Sequence, residues 1–329
     1  MVQIPGQAER DITLVVGATG FLGTEVVRQL RSNGRRVRAV VRATVDEAKR
    51  DILKQLATDI VESDLKDPTS LLKACDGVSS IISTATAMTS RQPGDTIATV
   101  DEKGQIALLN AAAERGVEHF VFISFPPNQF DYALQRAKRT VESELTKRRL
   151  SYTVLRSAPF MEVWFSPALG FDPLGQTMPS RVGRVQLWGT GENPSNWISI
   201  FDVARFASAA SSGGSFKNKT IDLAGTDTVS PLQVVEIFRK LTGRRVDIDC
   251  VPVAALESQM MGSQDSVAQA RVASALVVAA GQKLDNEQAS RLLPGPFRSV
   301  QEWAGRQVEL VSNLLSSETK SAISETHHQ

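Results

Sequence analysis

Three glycines spaced three residues apart form the strongest chemical signal in the sequence. They lie in the segment LVVGATGFLG, which places Gly17, Gly20 and Gly23 between a short apolar run and an amphipathic stretch. Glycines at such a turn let the backbone approach a pyrophosphate, while the N–H groups and dipole of the following helix favour its negative charge. A plain strand-to-helix turn is the alternative. We predict a dinucleotide site, whose turn also contains Ala18, Thr19, Phe21 and Leu22.

Charges around the second apolar run indicate which dinucleotide binds. Residues 34–45 contain no Asp or Glu and four arginines, Arg35, Arg36, Arg38 and Arg42. NAD sites carry a carboxylate near this strand end for the ribose 2′-OH, whereas an arginine accommodates the 2′-phosphate of NADP. The guanidinium of Arg42 can bind a phosphate with two hydrogen bonds. We predict NADP(H) in preference to NAD(H), the alternative being a solvated basic strand end.

A third strand end carries Asp64 and Leu65 in the segment ESDLKDP. The carboxylate can accept a hydrogen bond from the adenine amine while the leucine covers the ring. A structural role for Asp64, as a helix cap or a turn residue, explains its position equally well.

These groups require a parallel sheet to bring them together. Short β-branched apolar runs alternate with amphipathic stretches, which indicates βαβ units and a doubly wound α/β fold of the Rossmann type. The predicted strands are Ile12–Val16, Val37–Val41, Asp59–Ser63, Ser79–Ser83, Phe120–Ser124, Tyr152–Arg156, Arg184–Trp188, Ile198–Ile200 and Thr220–Leu223. The predicted helices are Phe21–Ser32, Leu71–Cys75, Asp101–Arg115, Ala133–Arg148, Phe201–Ala210, Pro231–Thr242, Val253–Met260, Asp265–Ala280 and Val300–Leu315.

The pattern changes after residue 157, which divides the chain into two parts. We predict a dinucleotide-binding domain over residues 11–157, to which the chain returns at about 198–224. Residues 158–197 and 225–315 form a smaller, mostly helical subdomain on the substrate side. Both ends, 1–10 and 316–329, are expected to be disordered.

Composition excludes several classes of protein. The 329 residues carry 37 Lys and Arg against 36 Asp and Glu, so no polybasic surface for nucleic acid is expected. Two cysteines and three histidines, with no clustered carboxylates at ligand spacing, predict neither a disulfide framework nor a metal site. No apolar segment reaches the roughly 18 residues of a membrane span. We expect a soluble, cytoplasmic protein, either a monomer or a homodimer.

Six segments together resemble the atypical short-chain dehydrogenase/reductases, and within them the NmrA-like branch. They are VVGATGFLG, VRAVVR, ESDLKDP, AAAERGVEHFVFIS, AKRTVESELTKRRLSYTVLRSAPFME and WISIFDVARFA, and they are distributed over residues 12–225. The branch includes NADPH-dependent quinone and dye reductases, isoflavone-reductase-like enzymes, and cofactor-binding proteins that regulate transcription or assist photosystem assembly. The resemblance therefore implies a specific fold and a nicotinamide cofactor, but it leaves several reactions open.

The resemblance also implies roles for individual residues. It repeats the assignments made above for the glycine turn, Arg42, Asp64 and Leu65. It places the exit of the fourth strand beside the cofactor, at Ser83, Thr84 and Ala85. Ser124 ends the fifth strand, where typical relatives carry a catalytic serine, and Lys138 stands in the following helix.

One departure from the family pattern concerns proton donation. Typical members carry a tyrosine four residues before the lysine, on the same helix face, and the lysine lowers the tyrosine pKa. Leu134 occupies that position, and Tyr132 lies six residues before Lys138. Isoflavone-reductase-like members manage with the lysine alone. We predict Lys138 as the first proton donor or ribose ligand, with Ser124 or Tyr132 as a second donor. The alternatives are a surface lysine paired with Glu142 and a serine that serves nearby backbone.

Aromatic residues follow the fifth and sixth strands, where doubly wound sheets bind ligands. A substrate wall or ordinary core packing explains them equally well. The candidates are Phe130, Phe160, Met161, Trp164, Phe165 and Phe171, with Met260 and Met261 as an extension.

Two functions fit these residues. The first is an NADP(H)-dependent reductase that passes hydride to a small, fairly apolar conjugated molecule such as a quinone, enone or imine. The second is a non-catalytic dinucleotide-binding protein that reports redox state to a protein partner or assists assembly. The missing tyrosine motivates the second hypothesis.

Overall fold

A computed structural model describes residues 12–56, 59–89, 91–176 and 182–326. Its strands, in chain order, are β1 (Ile12–Val16), β2 (Arg36–Val41), β3 (Asp59–Glu62), β4 (Val78–Ser83), β5 (His119–Ser124), β6 (Ser151–Ser157), β7 (Phe171–Asp172), β8 (Gly183–Trp188), β9 (Ser195–Asn196), β10 (Lys219–Leu223), β11 (Thr228–Val229) and β12 (Val246–Val251). Its helices are α1 (Phe21–Ser32), α2 (Glu47–Gln55), α3 (Pro68–Ala74), α4 (Gln105–Glu114), α5 (Ala133–Lys147), α6 (Met161–Trp164), α7 (Ile200–Ala210), α8 (Pro231–Thr242), α9 (Val253–Gly262), α10 (Ser266–Ala280), α11 (Glu287–Leu292) and α12 (Val300–Thr326). Residues 1–10, for which the sequence predicts disorder, lie outside the described ranges.

Seven parallel strands build the central sheet in the order β10-β6-β5-β4-β1-β2-β3. The chain winds outward in both directions from β1, so the strand order reverses between β1 and β4. That switch point is where open α/β sheets bind ligands, at the carboxyl ends of the strands. The predicted Rossmann-type α/β fold is confirmed.

Helices cover both faces of this sheet. Val26 and Leu30 of α1 pack with Phe206 of α7 on one face. Leu108 of α4 and Val141 of α5 pack on the other. Strands buried on both sides read as continuous apolar runs, which explains why the sequence identified them.

A smaller lobe of helices and a three-stranded sheet, β12-β8-β7, follows the central domain. Its core is aromatic: Phe165 contacts Phe171, Trp197 and Trp303, with ring centroids 4.3 to 5.6 Å apart. The predicted helical C-terminal part is confirmed, and the domain limits given above stay a prediction. No helix within the described ranges has the length and apolarity to cross a membrane.

Two predicted elements differ from the structure. The predicted strand Ile198–Ile200 forms only a single bridge, between Ile198 and Phe160, because Ser199 already caps helix α7. The first turns of the predicted helix Asp101–Arg115 belong to a π-helix, Ile97–Gly104, and α4 begins at Gln105.

Helices were also missed or underestimated. The sequence did not predict α2 or α11. The end predicted as disordered from residue 316 instead continues α12 to Thr326.

Candidate functional site

The glycine turn after β1 leaves no room for a side chain at Gly17 or at Gly23. Gly17 has φ +84°, and a Cβ there would lie 2.6 Å from Thr84 Oγ1 and 2.8 Å from the Ala85 nitrogen. A Cβ on Gly23 would lie 2.0 Å from the Gly17 oxygen. Gly20 is the N-cap of α1 and provides no side-chain cap, and the first turn of the helix contains no acidic residue. The turn therefore presents backbone N–H groups and the positive end of a helix dipole to an anion.

The other residues of the turn divide between core and surface. Ala18 and Leu22 are buried in the core, Thr19 is half-buried, and Phe21, the first residue of α1, is 77 % exposed. The Thr24 hydroxyl donates to the Ala18 carbonyl at 2.9 Å and fixes the turn against the helix.

Arg42 lies just beyond β2 and meets a carboxylate that the sequence did not identify. Its Nη1 atom is 2.7 Å from Asp95 Oδ2. The ammonium of Lys66 hydrogen-bonds Asp95 Oδ1, and the Gln92 nitrogen donates to Oδ2 at 2.8 Å. Burial opposes the charge of Asp95, but the hydrogen bonds from Lys66 and Gln92 hold its pKa below the usual range.

The predicted adenine-side pair lies beside this group. Asp64 Oδ1 accepts a hydrogen bond from the Lys66 nitrogen at 2.8 Å, so the carboxylate forms a local turn. Leu65 is 8 % exposed and faces Gly104, where a Cβ would come within 2.8 Å of the leucine Cβ. Asp64 thus forms a turn, and its contact with adenine stays a prediction.

The exit of β4 is held by the π-helix and α4. The Ser83 hydroxyl donates to Gln105 Oε1 at 2.7 Å, and Gln105 Nε2 donates to the Ala85 carbonyl at 3.2 Å. Asp101 Oδ2 accepts from the Ala87 nitrogen at 3.0 Å. Short π-helical segments often occur at functional sites. Neither Gln105 nor Asp101 was identified from the sequence, although the π-helix cap Thr96 carries a readable Ser/Thr capping signal.

Lys138 is buried beneath the end of β5, so it is not the surface lysine of the alternative hypothesis. Its Nζ atom donates to the Ile123 carbonyl at 3.1 Å, lies 3.9 Å from Asp101 Oδ1, and stands 4.6 Å from the centre of the Phe122 ring. Burial lowers the Lys138 pKa, and the Asp101 carboxylate acts in the opposite direction. Asp101 Oδ1 is itself buried without a hydrogen bond.

Ser124 belongs to a polar row that crosses three neighbouring strands. Its register partner on β6 is Arg156, whose partner on β10 is Asp222. Glu142 of α5 lies over the row: it accepts from the Ser124 hydroxyl at 2.6 Å and from Arg156 Nη2 at 2.6 Å. Arg139 Nη2 donates to the same hydroxyl at 2.9 Å. The Ser124 side chain is therefore engaged with α5, which corresponds to neither of the two roles considered from the sequence.

Tyr132 caps α5 and is 4 % exposed. Its hydroxyl accepts a hydrogen bond from Asn128 Nδ2 at 3.1 Å, and its ring stacks on Phe125 with centroids 6.2 Å apart. Burial raises the Tyr132 pKa, which opposes formation of a phenolate. Leu134, in the position of the usual tyrosine, packs into the core.

The predicted substrate residues separate into two groups. Met161, Phe165 and Phe171 are buried in the aromatic core of the lobe. Phe160 packs against the core on the face of the central sheet that α1 and α7 cover. Phe165 and Phe171 also line a cavity of about 130 Å³ within the lobe, and a substrate role for these four residues stays a prediction. Phe130 and Trp164 are half-buried and, with Trp188 and Met260, pack against Leu256 and Leu276.

We refer to Phe130, Trp164, Trp188 and Met260 as the apolar wall. Phe130 and Met260 also contact the core cluster that contains Tyr132 and Leu134, so the wall joins the start of α5 to the lobe. A cavity of about 170 Å³ opens between residues 128–130 and the end of α10. Met261, the other predicted extension, is 75 % exposed.

The segment after β4 is attached to the lobe at two points. Arg91 Nη1 is 2.5 Å from Asp265 Oδ2, whose carboxylate also caps α10. Arg271 of α10 donates to the Met88 carbonyl at 2.7 Å. This segment also carries Asp95, the partner of Arg42.

The histidine at the start of β5 has a structural role. His119 is buried at the start of β5, and its ring nitrogens bond Ser151 and Thr153 at 2.9 Å each. In the described part of the chain, no group of three or more His, Cys, Asp or Glu residues forms a metal site.

The NmrA-like family profile matches residues 9–318. This chain belongs to the NmrA-like family. The photosystem II assembly factor Ycf39 of Cyanophora paradoxa is 30 % identical over 248 residues, which are 74 % of this chain and 73 % of that protein. An NAD(P)H azoreductase of Xenophilus azovorans is 26 % identical over 262 residues, which are 78 % of this chain and 84 % of the enzyme.

Among solved structures, the triphenylmethane reductase of Citrobacter sp. complexed with NADP(H) has a TM-score of 0.69 at 21 % identity. The match covers 90 % of this chain and 99 % of that one. The likeness confirms the fold, and the family assignment confirms the resemblance read from the sequence. The relatives themselves include both reductases and assembly factors.

Proposed function

We propose that this protein binds NADP(H) at the carboxyl ends of β1, β2 and β4. The observation that carries the proposal is the cradle at Gly17 and Gly23, where any Cβ would collide with the backbone and where α1 begins uncapped. The glycine turn would hold the diphosphate and Arg42 the 2′-phosphate. Ser83, Thr84 and Ala85 border the nicotinamide half, and Lys138 lies beneath it. The Citrobacter reductase, which was solved in complex with NADP(H), supports this assignment.

We further propose that the protein is a reductase of small, conjugated, apolar acceptors. A bound reduced nicotinamide supplies a hydride, so the chain must exclude water and orient an acceptor. The apolar wall supplies a dry surface that joins the start of α5 to the lobe. Its half-buried aromatic rings suit a flat conjugated molecule.

The three predicted proton donors are all engaged inside the protein. Lys138, Ser124 and Tyr132 bond Ile123, Glu142 and Asn128 respectively. Quinones and cationic conjugated acceptors such as iminium ions accept a hydride without a protein acid at that moment, because any proton the product needs can come from solvent afterwards. An enone or a neutral imine needs a proton or a hydrogen-bond donor at its heteroatom. The names of the azoreductase and triphenylmethane reductase relatives support conjugated acceptors as substrates.

Titration of the purified protein with NADPH and NADH, followed by calorimetry, tests cofactor binding. We expect NADPH to bind more tightly, and Arg42→Ala to weaken NADPH about tenfold or more while NADH changes little, because a charge-assisted phosphate contact is lost. If neither nucleotide binds, the whole proposal fails. Equal weakening of both nucleotides would remove Arg42 from 2′-phosphate recognition.

Oxidation of NADPH in the presence of a panel of quinones, enones and imines tests the reaction. We expect turnover with at least one class and a loss of turnover when Trp164 is replaced by Ala. Phe201→Ala is the control, because this partly exposed aromatic residue lies on α7, on the other face of the sheet.

Two observations favour a second function, that of a cofactor-binding assembly factor or regulator. The Ser124 hydroxyl is hydrogen-bonded to Glu142, and Leu134 occupies the position of the usual tyrosine. The Ycf39 assembly factor among the relatives supports it. Under this proposal NADPH binds without oxidation across the panel, and a defined protein partner binds in only one redox state of the cofactor. Turnover at ordinary enzymatic rates would contradict it.

The proposal extends to the cellular location and the oligomeric state of the protein. We propose a cytoplasmic monomer or homodimer, which cell fractionation and analytical ultracentrifugation would test.

A further inference from the structure

We propose that Lys66 is a second ligand of the 2′-phosphate and that Asp95 is the positioning residue that aligns Lys66 with Arg42. This inference rests on the proposed binding of NADP(H). It adds two residues, neither of which the sequence identified, to the recognition of one phosphate group.

The geometry places the two cations on one carboxylate. Arg42 Nη1 bonds Asp95 Oδ2 at 2.7 Å, and Lys66 Nζ bonds Asp95 Oδ1. Arg42 follows β2 and Lys66 follows β3, and these strands are parallel neighbours in the sheet. Two cations held by the two oxygens of one carboxylate are also close enough to contact different oxygens of one phosphate.

Burial shows which side of the group faces solvent. The Asp95 side chain is 1 % exposed, whereas those of Arg42 and Lys66 are 28 % and 27 % exposed. The carboxylate therefore lies beneath the two cations, whose outer parts remain reachable at the carboxyl ends of the strands. A buried acid under two partly exposed bases can fix their positions while leaving an outer surface for an incoming anion.

Other contacts fix Asp95 and Lys66 independently of any ligand. The Gln92 nitrogen donates to Asp95 Oδ2, and Lys66 Nζ also donates to the Pro93 carbonyl at 3.3 Å. Asp64 Oδ2 is 3.8 Å from Lys66 Nζ, beyond hydrogen-bond distance, so Asp95 is the acid that directly binds the lysine.

Hydrogen-bond donors, and not net charge, suit this group to a phosphate. Arg42 and Lys66 contribute +2, and Asp95 together with Asp64, which lies 3.8 Å from Lys66 Nζ, contributes −2. A 2′-phosphate brings the strong acceptor oxygens that both cations can bind, whereas the 2′-OH of NADH offers one neutral oxygen. This group of residues therefore favours NADPH over NADH.

Calorimetric titration of Lys66→Gln and Asp95→Asn with NADPH, NADH, 2′,5′-ADP and 5′-ADP tests the inference. We expect Lys66→Gln to weaken NADPH and 2′,5′-ADP about tenfold, while NADH and 5′-ADP change less than about twofold. Asp95→Asn should act in the same direction, because both cations lose their alignment. Lys73→Gln, which removes an exposed lysine of α3, is the matched control.

Three results would overturn the inference. Equal weakening of NADPH and NADH by Lys66→Gln would place the lysine elsewhere on the nucleotide. No change in either would exclude it as a ligand. Tighter NADPH binding by Asp95→Asn would show that the carboxylate competes with the phosphate instead of positioning its ligands. Retained NADH binding shows that each variant is folded, and a wild-type protein that binds neither nucleotide would instead refute the underlying proposal.

Discussion

The ammonium of Lys138 lies 3.1 Å from the carbonyl oxygen of Ile123, the penultimate residue of β5. This hydrogen bond connects α5 to the carboxyl end of β5. Because the same ammonium stands 3.9 Å from the buried Asp101, the lysine links β5, α5 and the π-helix. Its position is thus fixed before any ligand arrives.

Replacing Lys138 by Met should lower the free energy of unfolding by about 3 kcal/mol, because Asp101 would remain as an uncompensated buried charge. Urea denaturation followed by circular dichroism measures this. Lys103→Met, which removes an exposed lysine of the π-helix, should have little effect. The double variant Lys138→Met with Asp101→Asn should recover part of the loss. An unchanged denaturation midpoint for Lys138→Met would contradict the proposed link.

Replacing Gly23 by Ala should destabilise the protein by about 1 to 3 kcal/mol, the usual cost of overpacking. The new Cβ would lie 2.0 Å from the Gly17 oxygen, so the backbone of the turn must move. Gly20→Ala is the matched control, since its Cβ would make only a 3.4 Å contact with the same oxygen. Thermal unfolding without nucleotide should show a lower Tm for the first variant alone. Similar Tm values for the two variants would be inconsistent with the close packing of this turn.

Replacing Ser124 by Ala should cost about 1 to 2 kcal/mol of stability and change kcat for NADPH oxidation less than about threefold. The hydroxyl binds Glu142 and Arg139 inside the protein, so its loss affects packing of α5 more than proton transfer. Glu142→Ala should cost more, about 3 kcal/mol, because Arg156 and Arg139 lose their carboxylate. A hundredfold fall in kcat for Ser124→Ala would restore the serine as a proton donor.

Acid should destabilise the protein through His119. Burial lowers the His119 pKa from 6.5 to about 4, so between these values the unfolded chain binds more protons than the folded one. Stability from this residue is complete above pH 6.5 and is lost progressively as the pH falls toward 4, by about 3 kcal/mol. Urea midpoints measured from pH 4 to 7 should show this slope, and His119→Gln should flatten it. An equal slope in both proteins would assign the effect to other groups.

The sequence predicted the parts of the fold that depend on local patterns. Helix α1 was placed at Phe21–Ser32 because a buried strand, a glycine turn and an amphipathic stretch follow one another directly. The π-helix was not predicted, since its hydrogen-bond spacing leaves an apolar pattern close to that of an α-helix. The short strand expected at Ile198–Ile200 was wrong because the Ser199 cap starts a helix there.

The sequence identified site residues only where every residue of the group lies within one short motif. The glycine turn and Arg42 are of this kind. Asp95 could not be found, because its role depends on cations from two different strand ends. Ser124 was identified by position, but its partners come from α5. Composition cannot distinguish Phe165, in the core, from Trp164, on the apolar wall, since both are aromatic residues near the same strand end.

The ion pair between Arg91 and Asp265 makes the loop after β4 a strap between the proposed nucleotide site and the lobe. Asp95 lies near one end of this strap, and the cap of α10 is the other. A phosphate bound by Arg42 and Lys66 would add to the contacts that already hold Asp95, and so would further restrict the first turn of α10 without moving the sheet. We expect amide hydrogen exchange at residues 266–270 to slow when NADPH is bound. The lobe would then differ between the free and the bound protein in its dynamics, without a change in its average structure.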